Sequence, residues 1–294
     1  MGRDGKSLFV LGGSGQVGGA VIREAGRRNV SCCGTYFRHG YPGLVYWDGD
    51  IGSLEKLIEE NDPQAVVYAL GMTHVDDCET SREETFRWNS VVPAEIARLC
   101  GGSRAFVYFS TEYVFDGENG PYSENDPPNP LSVYGYSKLR GEQSVFLAKP
   151  DALVLRTTVV YGPEEQKKNF IFSLRKRINK KQRVMVPCDQ VSSPTYNADL
   201  ASAVLDLING NKTGVWNAAG PEVMDRYSFA LLAAEVFDLD KDLIIPVHTE
   251  ELHQAAKRPL NAGLRIDKLQ SFVGVGCMRT PREGLLVFRA GEKE

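Results

Sequence analysis

Along the first half of the chain, short apolar runs of strand length alternate with stretches of helical period. Residues 7–11 read as a buried strand, and at 16–28 Val17, Ala20, Val21 and Ala25 share one side of a helix. Further strands are expected at 30–35, 44–47, 65–70, 105–110 and 152–157. Helical patterns at 53–60, 82–100 and 132–147 fall between them. Ser53 is the expected N-cap of the first, and Pro93 should kink or break the second. Strands alternating with helices predict βαβ units and a parallel sheet covered on both faces.

After about residue 158 the rhythm loosens. Helices are expected at 169–178, 198–208 and 228–237, with strands at 183–186 and 215–218. The predicted fold is therefore α/β, a Rossmann-type doubly wound parallel sheet over residues 1–160, with a smaller C-terminal α/β substrate lobe over 161–294. Some segments of the second part are expected to return to the first. Residues 116–130, rich in Gly, Pro, Asn and acid, form a long loop, and loops of that length in compact domains are often functional.

The first strand–helix junction carries Gly12, Gly15 and Gly18 in a G-x-x-G-x-x-G spacing. Side chains at these positions would hold a pyrophosphate away from the N–H groups of the helix N-terminus. A tight turn explains one glycine there, not three in register. At the end of the second strand, where NAD enzymes place an acid for the ribose hydroxyls, residues 34–39 contain none. Arg38 either pairs with a 2′-phosphate, which favours NADP(H) over NAD(H), or is a solvated surface side chain. The sequence does not separate the two. Asp50 and Ile51 follow the third strand, where such folds hold an adenine ring.

Tyr134 and Lys138 stand at i and i+4, on one helix face. A neighbouring ammonium favours phenolate and would lower the phenol from ~10, so that Tyr134 serves as a general acid near neutral pH. Ser110 and Thr111 end the fifth strand, at the sheet edge where ligands bind in such folds. A hydroxyl there can hold a reacting carbonyl oxygen beside the phenol. A hydroxyl bonded to local backbone and a solvated helix face are the plain alternatives; the nearby glycine loop weighs against both at once.

Composition narrows the picture. The 34 Lys and Arg against 38 Asp and Glu give a net charge of −4, which argues against nucleic acid as the main ligand. No apolar run approaches the ~18 residues of a membrane span, and residues 1–10 lack a signal-peptide layout. Cysteines 32, 33, 78, 100, 188 and 277 form no C-x-x-C pair, and Cys32 and Cys33 point to opposite faces if they lie on a strand. Buried free thiols in a reducing cytoplasm are expected. No histidine or cysteine spacing suggests a metal site.

These residues carry a resemblance. The chain resembles the extended short-chain dehydrogenase/reductase superfamily, and within it the dTDP-4-dehydrorhamnose reductase family, over nearly its whole length. The resemblance rests on the glycine loop, the run from Thr73 to Glu79, Asn89, and the Ser-Thr-Glu-Tyr-Val-Phe-Asp-Gly run from Ser110 to Gly117. It continues through Pro130 to Lys138, Leu155 to Thr157, Tyr161-Gly162, Asn169-Phe170, Pro194-Thr195, Asp199-Leu200 and Arg258-Pro259. It implies NADPH-dependent reduction of a 4-keto group on a nucleotide-linked deoxysugar. Thr111, Tyr134 and Lys138 would be the catalytic set, Lys138 also binding the nicotinamide ribose. Gly12, Gly15 and Gly18 would flank the pyrophosphate beside the amides of Ser14, Gln16 and Val17. Ala69, Leu70 and Gly71 would line the cofactor channel, and Thr73 and Val75 the sugar.

Three departures bear on the substrate: Val159 in place of a family Trp, a serine replacing a glycine between Asp189 and Thr195, and a loop rich in Glu and Lys between Gly162 and Asn169. The regulatory β subunit of methionine adenosyltransferase resembles the same family. A regulatory NADP-binding role is therefore the alternative expectation, supported by Phe37-Arg38 and the segment from Arg258 to Ala262. Homodimers are frequent in the superfamily, so the resemblance is compatible with one here.

Overall fold

The structure is a computed structural model and describes residues 7–292. The first elements are β1 (Leu8–Leu11), α1 (Gln16–Arg27), β2 (Cys32–Tyr36), β3 (Leu44–Tyr46), α2 (Ile51–Asn61) and β4 (Ala65–Tyr68). Helices α3 (Val75–Thr80), α4 (Arg82–Phe86) and α5 (Val92–Leu99) lead to β5 (Ala105–Thr111), α6 (Val133–Ala148) and β6 (Leu153–Thr157). Then come β7 (Val160–Tyr161), α7 (Phe170–Asn179), β8 (Val184–Pro187), β9 (Val191–Ser192), β10 (Thr195–Tyr196), α8 (Asn197–Asn209) and β11 (Gly214–Asn217). The last are β12 (Met224–Asp225), α9 (Arg226–Val236), β13 (Ile244–Val247), α10 (Asp267–Val273) and α11 (Pro281–Gly291).

Seven strands form one parallel sheet in the order β11-β6-β5-β4-β1-β2-β3. The order reverses between β1 and β4, the position whose carboxyl ends bind ligands in sheets of this kind. Strand alternation feeds two cores. Leu8, Val10, Ala65 and Val67 face α1 and α8, while Phe9, Leu11, Val66 and Tyr68 face α2 and α5. Cys32 and Cys33 divide between these two cores, as their strand position requires. All six cysteines are free, but only Cys78 and Cys100 are buried; the other four are half-buried. A third core lies among α7, β8, α9, β13 and α11. α8 and β11 leave that lobe and complete the main sheet: Leu200 and Val204 join the α1 core, and β11 pairs with β6.

One sequence expectation is corrected here and another takes a definite form. The N-cap of α2 is Asp50, not Ser53; its carboxylate accepts from the Ser53 N–H at 2.7 Å. Asp50 starts the helix three residues earlier because a carboxylate at N-cap satisfies an orphan amide. The break announced by Pro93 is a π-helical turn, Arg87–Val91, between α4 and α5. Pro93 has no N–H to give the Asn89 carbonyl, and Val92 N–H bonds back to Arg87 O. The two freed carbonyls are capped from the sheet: Tyr68 Oη donates to Trp88 O and Tyr108 Oη to Asn89 O, each at 2.6 Å. Tyr108→Phe leaves one buried carbonyl unpaired, so a loss of ~1–3 kcal/mol in urea unfolding is expected, with packing otherwise kept. A loss under ~0.3 kcal/mol would mean that the turn finds another donor.

Candidate functional site

The glycines act first through packing. Gly12 has φ +82°, and a Cβ there would lie 2.9 Å from Ala69 O and from Leu70 Cδ2. A Cβ at Gly18 would strike Gly12 O. Gly12 and Gly18 thus let β1, α1 and the end of β4 close on one another. Gly15 differs: its Cβ would meet only Gly12 O, at 3.2 Å, and would otherwise point into open space. Around it, Ser14 O accepts from Gln166 Nε2 at 2.8 Å, and Gln16 Nε2 donates to Val160 O at 2.9 Å. The Gln16 side chain is therefore engaged with the β7 segment, while Val17 packs toward the α1 core. Asp50 is held by its capping role and Ile51 packs toward the α2 core.

Arg38 is exposed, its guanidinium 5.7 Å from the Phe37 ring centroid, and has no acidic partner among the described residues. It lines a groove of ≈ 620 Å³ with Phe37, Asp48, Arg87 and Trp88. Arg87 and Trp88 are additions that the sequence reading did not single out.

Past β4, Gly71 has φ +150°, and a Cβ there would crowd Asn89 Oδ1 at 2.7 Å. Asn89, on the π turn, accepts from Met72 N–H at 2.9 Å and donates to Met72 O at 3.0 Å and Ser137 Oγ at 2.9 Å. One buried amide thus ties the β4 loop to α6. Thr73 is exposed and Val75 half-buried at the start of α3. In α3, Asp76 receives both Arg258 Nη1 and Nη2, at 2.7 and 2.9 Å. This fork fastens the C-terminal segment to the sheet side and holds the Asp76 carboxyl below its usual range.

Thr111 acts on the Tyr134 phenol at the end of β5, and Lys138 stands one helical turn further along α6. Thr111 ends β5 and caps the short turn Glu112–Val114. Ser132 caps α6 by accepting from Gly135 N–H, which seats Tyr134 and Lys138 in the first turns. Side chains at Gly135 and Gly141 would strike Tyr113 O and Asn89 O respectively, so both glycines let α6 lie tight on this edge. Thr111, Tyr134 and Lys138 are all buried. The Tyr134 ring meets Tyr113 edge-on, with centroids 5.4 Å apart. Lys138 Nζ sits 4.1 Å above the Tyr108 ring centroid.

The electrostatics correct one expectation. The Tyr134 phenol is pushed up, not down: burial is the first cause, the Glu112 carboxylate adds to it, and Thr111 opposes it. Lys138 is not among the groups acting on the phenol, and burial pushes its own ammonium down to about 7, against the pull of Glu142. The i, i+4 argument covered pair attraction and left out desolvation, which is larger in this site. Behind the trio, Glu142 is gripped by Arg156, with Nε–Oε1 at 2.9 Å and Nη2–Oε2 at 2.7 Å, and by the Ser110 hydroxyl.

A family model described as "RmlD substrate binding domain" matches residues 6–285. The chain belongs to that family. The dTDP-4-dehydrorhamnose reductase of Mycobacterium tuberculosis (strain CDC 1551) is 33% identical over 260 residues, covering 85% of this chain and 82% of that protein. The methionine adenosyltransferase 2 subunit beta of Rattus norvegicus is 31% identical, covering 98% of this chain and 86% of its own. A crystal structure of a dTDP-4-dehydrorhamnose reductase from Clostridium acetobutylicum superposes with a TM-score of 0.87 at 26% identity, covering 98% of this chain and 100% of that one.

Within this RmlD-family frame two features stand out that the sequence reading did not name. Glu112 is buried beside Thr111, whose Oγ donates to Glu112 Oε2 at 2.7 Å. Arg226, at the start of α9, lies 5.1 Å from the Phe170 ring centroid and has no ion-pair partner among the described residues. Glu112 was adjacent to a candidate residue and so was visible in principle. Arg226 comes from the other lobe, and nothing local to it signals the site. Val159 holds φ +38°, an outlier for a β-branched residue, beside the buried Thr157 and Thr158.

Proposed function

We propose that the chain reduces the 4-keto group of a nucleotide-linked deoxysugar with NADPH, Tyr134 giving the proton to the keto oxygen. The oxidoreductase class follows from the family and its reductase relatives. The observation that carries the finer reading is the buried meeting of Thr111, Tyr134 and Lys138 at the carboxyl edge of β5. Burial keeps the phenol protonated, which suits a group that must donate. Thr111 would hold the keto oxygen against Tyr134, and Lys138 would anchor the nicotinamide ribose.

The residues present fit a dinucleotide. The open space over Gly15 at the α1 N-terminus suits a pyrophosphate. Arg38 and Arg87, flanking Phe37 and Trp88, suit the adenosine end. A bound nicotinamide would supply the hydride. Arg226 forms no ion pair among the described residues, its nearest acid being Glu112, and supports an anionic substrate. In an acidic protein such attraction has to be local.

Mixing the protein with NADPH and a panel of nucleotide-linked 4-keto-6-deoxysugars, and following the nicotinamide absorbance, tests this reading. Absence of oxidation across the panel would sink it. Arg38→Ala is expected to weaken NADPH binding by ~10-fold or more and NADH binding by less than ~3-fold, read by titration calorimetry. Equal losses would remove the 2′-phosphate role.

A second reading has a specific observation behind it, the 31% identity to the rat methionine adenosyltransferase 2 subunit beta over most of both chains. In that case the chain regulates a methionine adenosyltransferase catalytic subunit. Co-elution of the two purified proteins, with no sugar turnover, would favour it.

A further inference from the structure

The loop rich in Glu and Lys between Gly162 and Asn169, read from the sequence as bearing on the substrate, is fastened elsewhere. It follows β7 and ends at the N-cap of α7, Asn169. Both of its ends are fixed. Pro163 O accepts from Arg23 Nη2 on α1 at 2.9 Å and from Asn197 Nδ2 on α8 at 2.8 Å, and Asn169 Nδ2 donates to Gly162 O at 2.9 Å. Its tip crosses to the glycine loop. Gln166 Nε2 donates to Ser14 O at 2.8 Å. Glu165 Oε1 accepts from Tyr41 Oη, three residues beyond Arg38, at 3.0 Å. The bonds of residues 163–168 to other elements thus run to Ser14, Arg23, Tyr41 and Asn197. Among the described residues none runs to Thr73, Val75, Thr111 or Tyr134.

Charge points the same way. Glu164 is occupied by the amides of Lys168 and Asn169, and Glu165 by Tyr41. Lys167 and Lys168 are exposed and form no ion pair among the described residues. Lys167 takes φ +50°, an uncommon left-handed turn for a residue with a side chain. Consecutive Cα atoms are about 3.8 Å apart, so the bond from Gln166 to Ser14 brings Lys167 to the rim of the glycine loop, with Lys168 one residue behind.

We propose that residues 165–168 form a strap at the phosphates of the bound dinucleotide, with Gln166 as its clasp and Lys167 and Lys168 as its charges. The proposal rests on the chain binding a nicotinamide dinucleotide. The amides at the α1 N-terminus give a phosphate dipoles but no full positive charge. In a chain of net charge −4 the compensating cations have to be local, and the strap supplies two beside the open space at Gly15. The loop is then a determinant of cofactor affinity rather than of sugar choice.

The test is calorimetric titration with NADPH and NADH, in the absence of sugar, of the parent, of Gln166→Ala, and of the double variant Lys167→Gln with Lys168→Gln. The double variant should bind NADPH ~10-fold more weakly at low salt, since two exposed charge contacts are lost. Salt screens exposed charges, so that difference should shrink to ~2-fold or less at about 0.5 M salt. Gln166→Ala should weaken both cofactors by ~3-fold or more, the worth of one hydrogen bond. A double-variant loss confined to NADPH assigns the lysines to the 2′-phosphate and an equal loss assigns them to the pyrophosphate; both support the strap. In the parent, tryptic cleavage after Lys167 and Lys168 should slow ~5-fold or more at saturating NADPH, because cleavage needs the strap to open. Affinity within ~2-fold of the parent in either variant at low salt, a double-variant loss that salt does not reduce, or cleavage that NADPH leaves unchanged overturns the proposal. Failure of the parent to bind either cofactor overturns the dinucleotide reading itself, and the strap with it; parent binding with unaltered variants overturns the strap alone.

Discussion

Tyr134→Phe is expected to lower kcat by ~10²–10⁴-fold while NADPH binding stays within ~3-fold of the parent. The substitution removes one O–H and keeps the ring that packs edge-on against Tyr113. The helix start is untouched, since Ser132 and Gly135 form the cap. The phenol is buried and pushed above its usual range, so the parent should hold the donor proton throughout the neutral range. As pH rises through about 7, activity would be lost first from Lys138, whose ammonium discharges there. Nicotinamide absorbance measures the turnover and calorimetry the binding. Turnover within tenfold of the parent would place the proton source elsewhere.

The largest effect on stability is expected from Glu142. Its carboxylate lies between Arg156 on β6, Ser110 on β5 and its own helix α6, and both members of the ion pair are about 95% buried. Glu142→Ala strands the Arg156 guanidinium, one of whose nitrogens already lacks a partner. A loss of ~3–5 kcal/mol in urea unfolding is expected, because the charge left behind cannot recover its hydration. The double variant Glu142→Leu with Arg156→Met should regain a large part of that loss, since two apolar groups leave nothing unpaired. A single-variant loss below ~1 kcal/mol, or a double variant no better than the single, would show that the pair is solvated in solution. Glu142 also favours the charged form of Lys138, so the surviving folded fraction should bind NADPH more weakly.

Strand positions were legible because a two-sided parallel sheet demands apolar residues on both faces, and β1, β4 and β5 obey that demand nearly without interruption. Their ends were less so. Val30 reads as strand by composition, yet its N–H bonds to Ala25 O and closes α1. Pro93 signalled an interruption, but the π turn depends on Tyr68 and Tyr108 arriving from two strands, which no local window contains. Spacing put Tyr134 and Lys138 on one helix face, and the glycine loop and the end of the fifth strand drew Thr111 to the same edge. The charge state of the trio was not legible, because desolvation depends on what packs around it. Arg226 and the Asp76–Arg258 fork join segments far apart in sequence, so only the fold brings them to the cleft.

The return of α8 and β11 to the main sheet has a consequence for synthesis. Residues up to 157 contain six of its seven strands, but the outer edge of β6 and the apolar side of α1 stay open until residues 197–217 have been made. At roughly 5–20 residues per second, that interval lasts several seconds. During it the nascent chain presents an unpaired strand edge beside an uncovered core. Folding of the sheet is therefore tied to late translation, and a fragment ending before Gly214 would carry that exposure permanently.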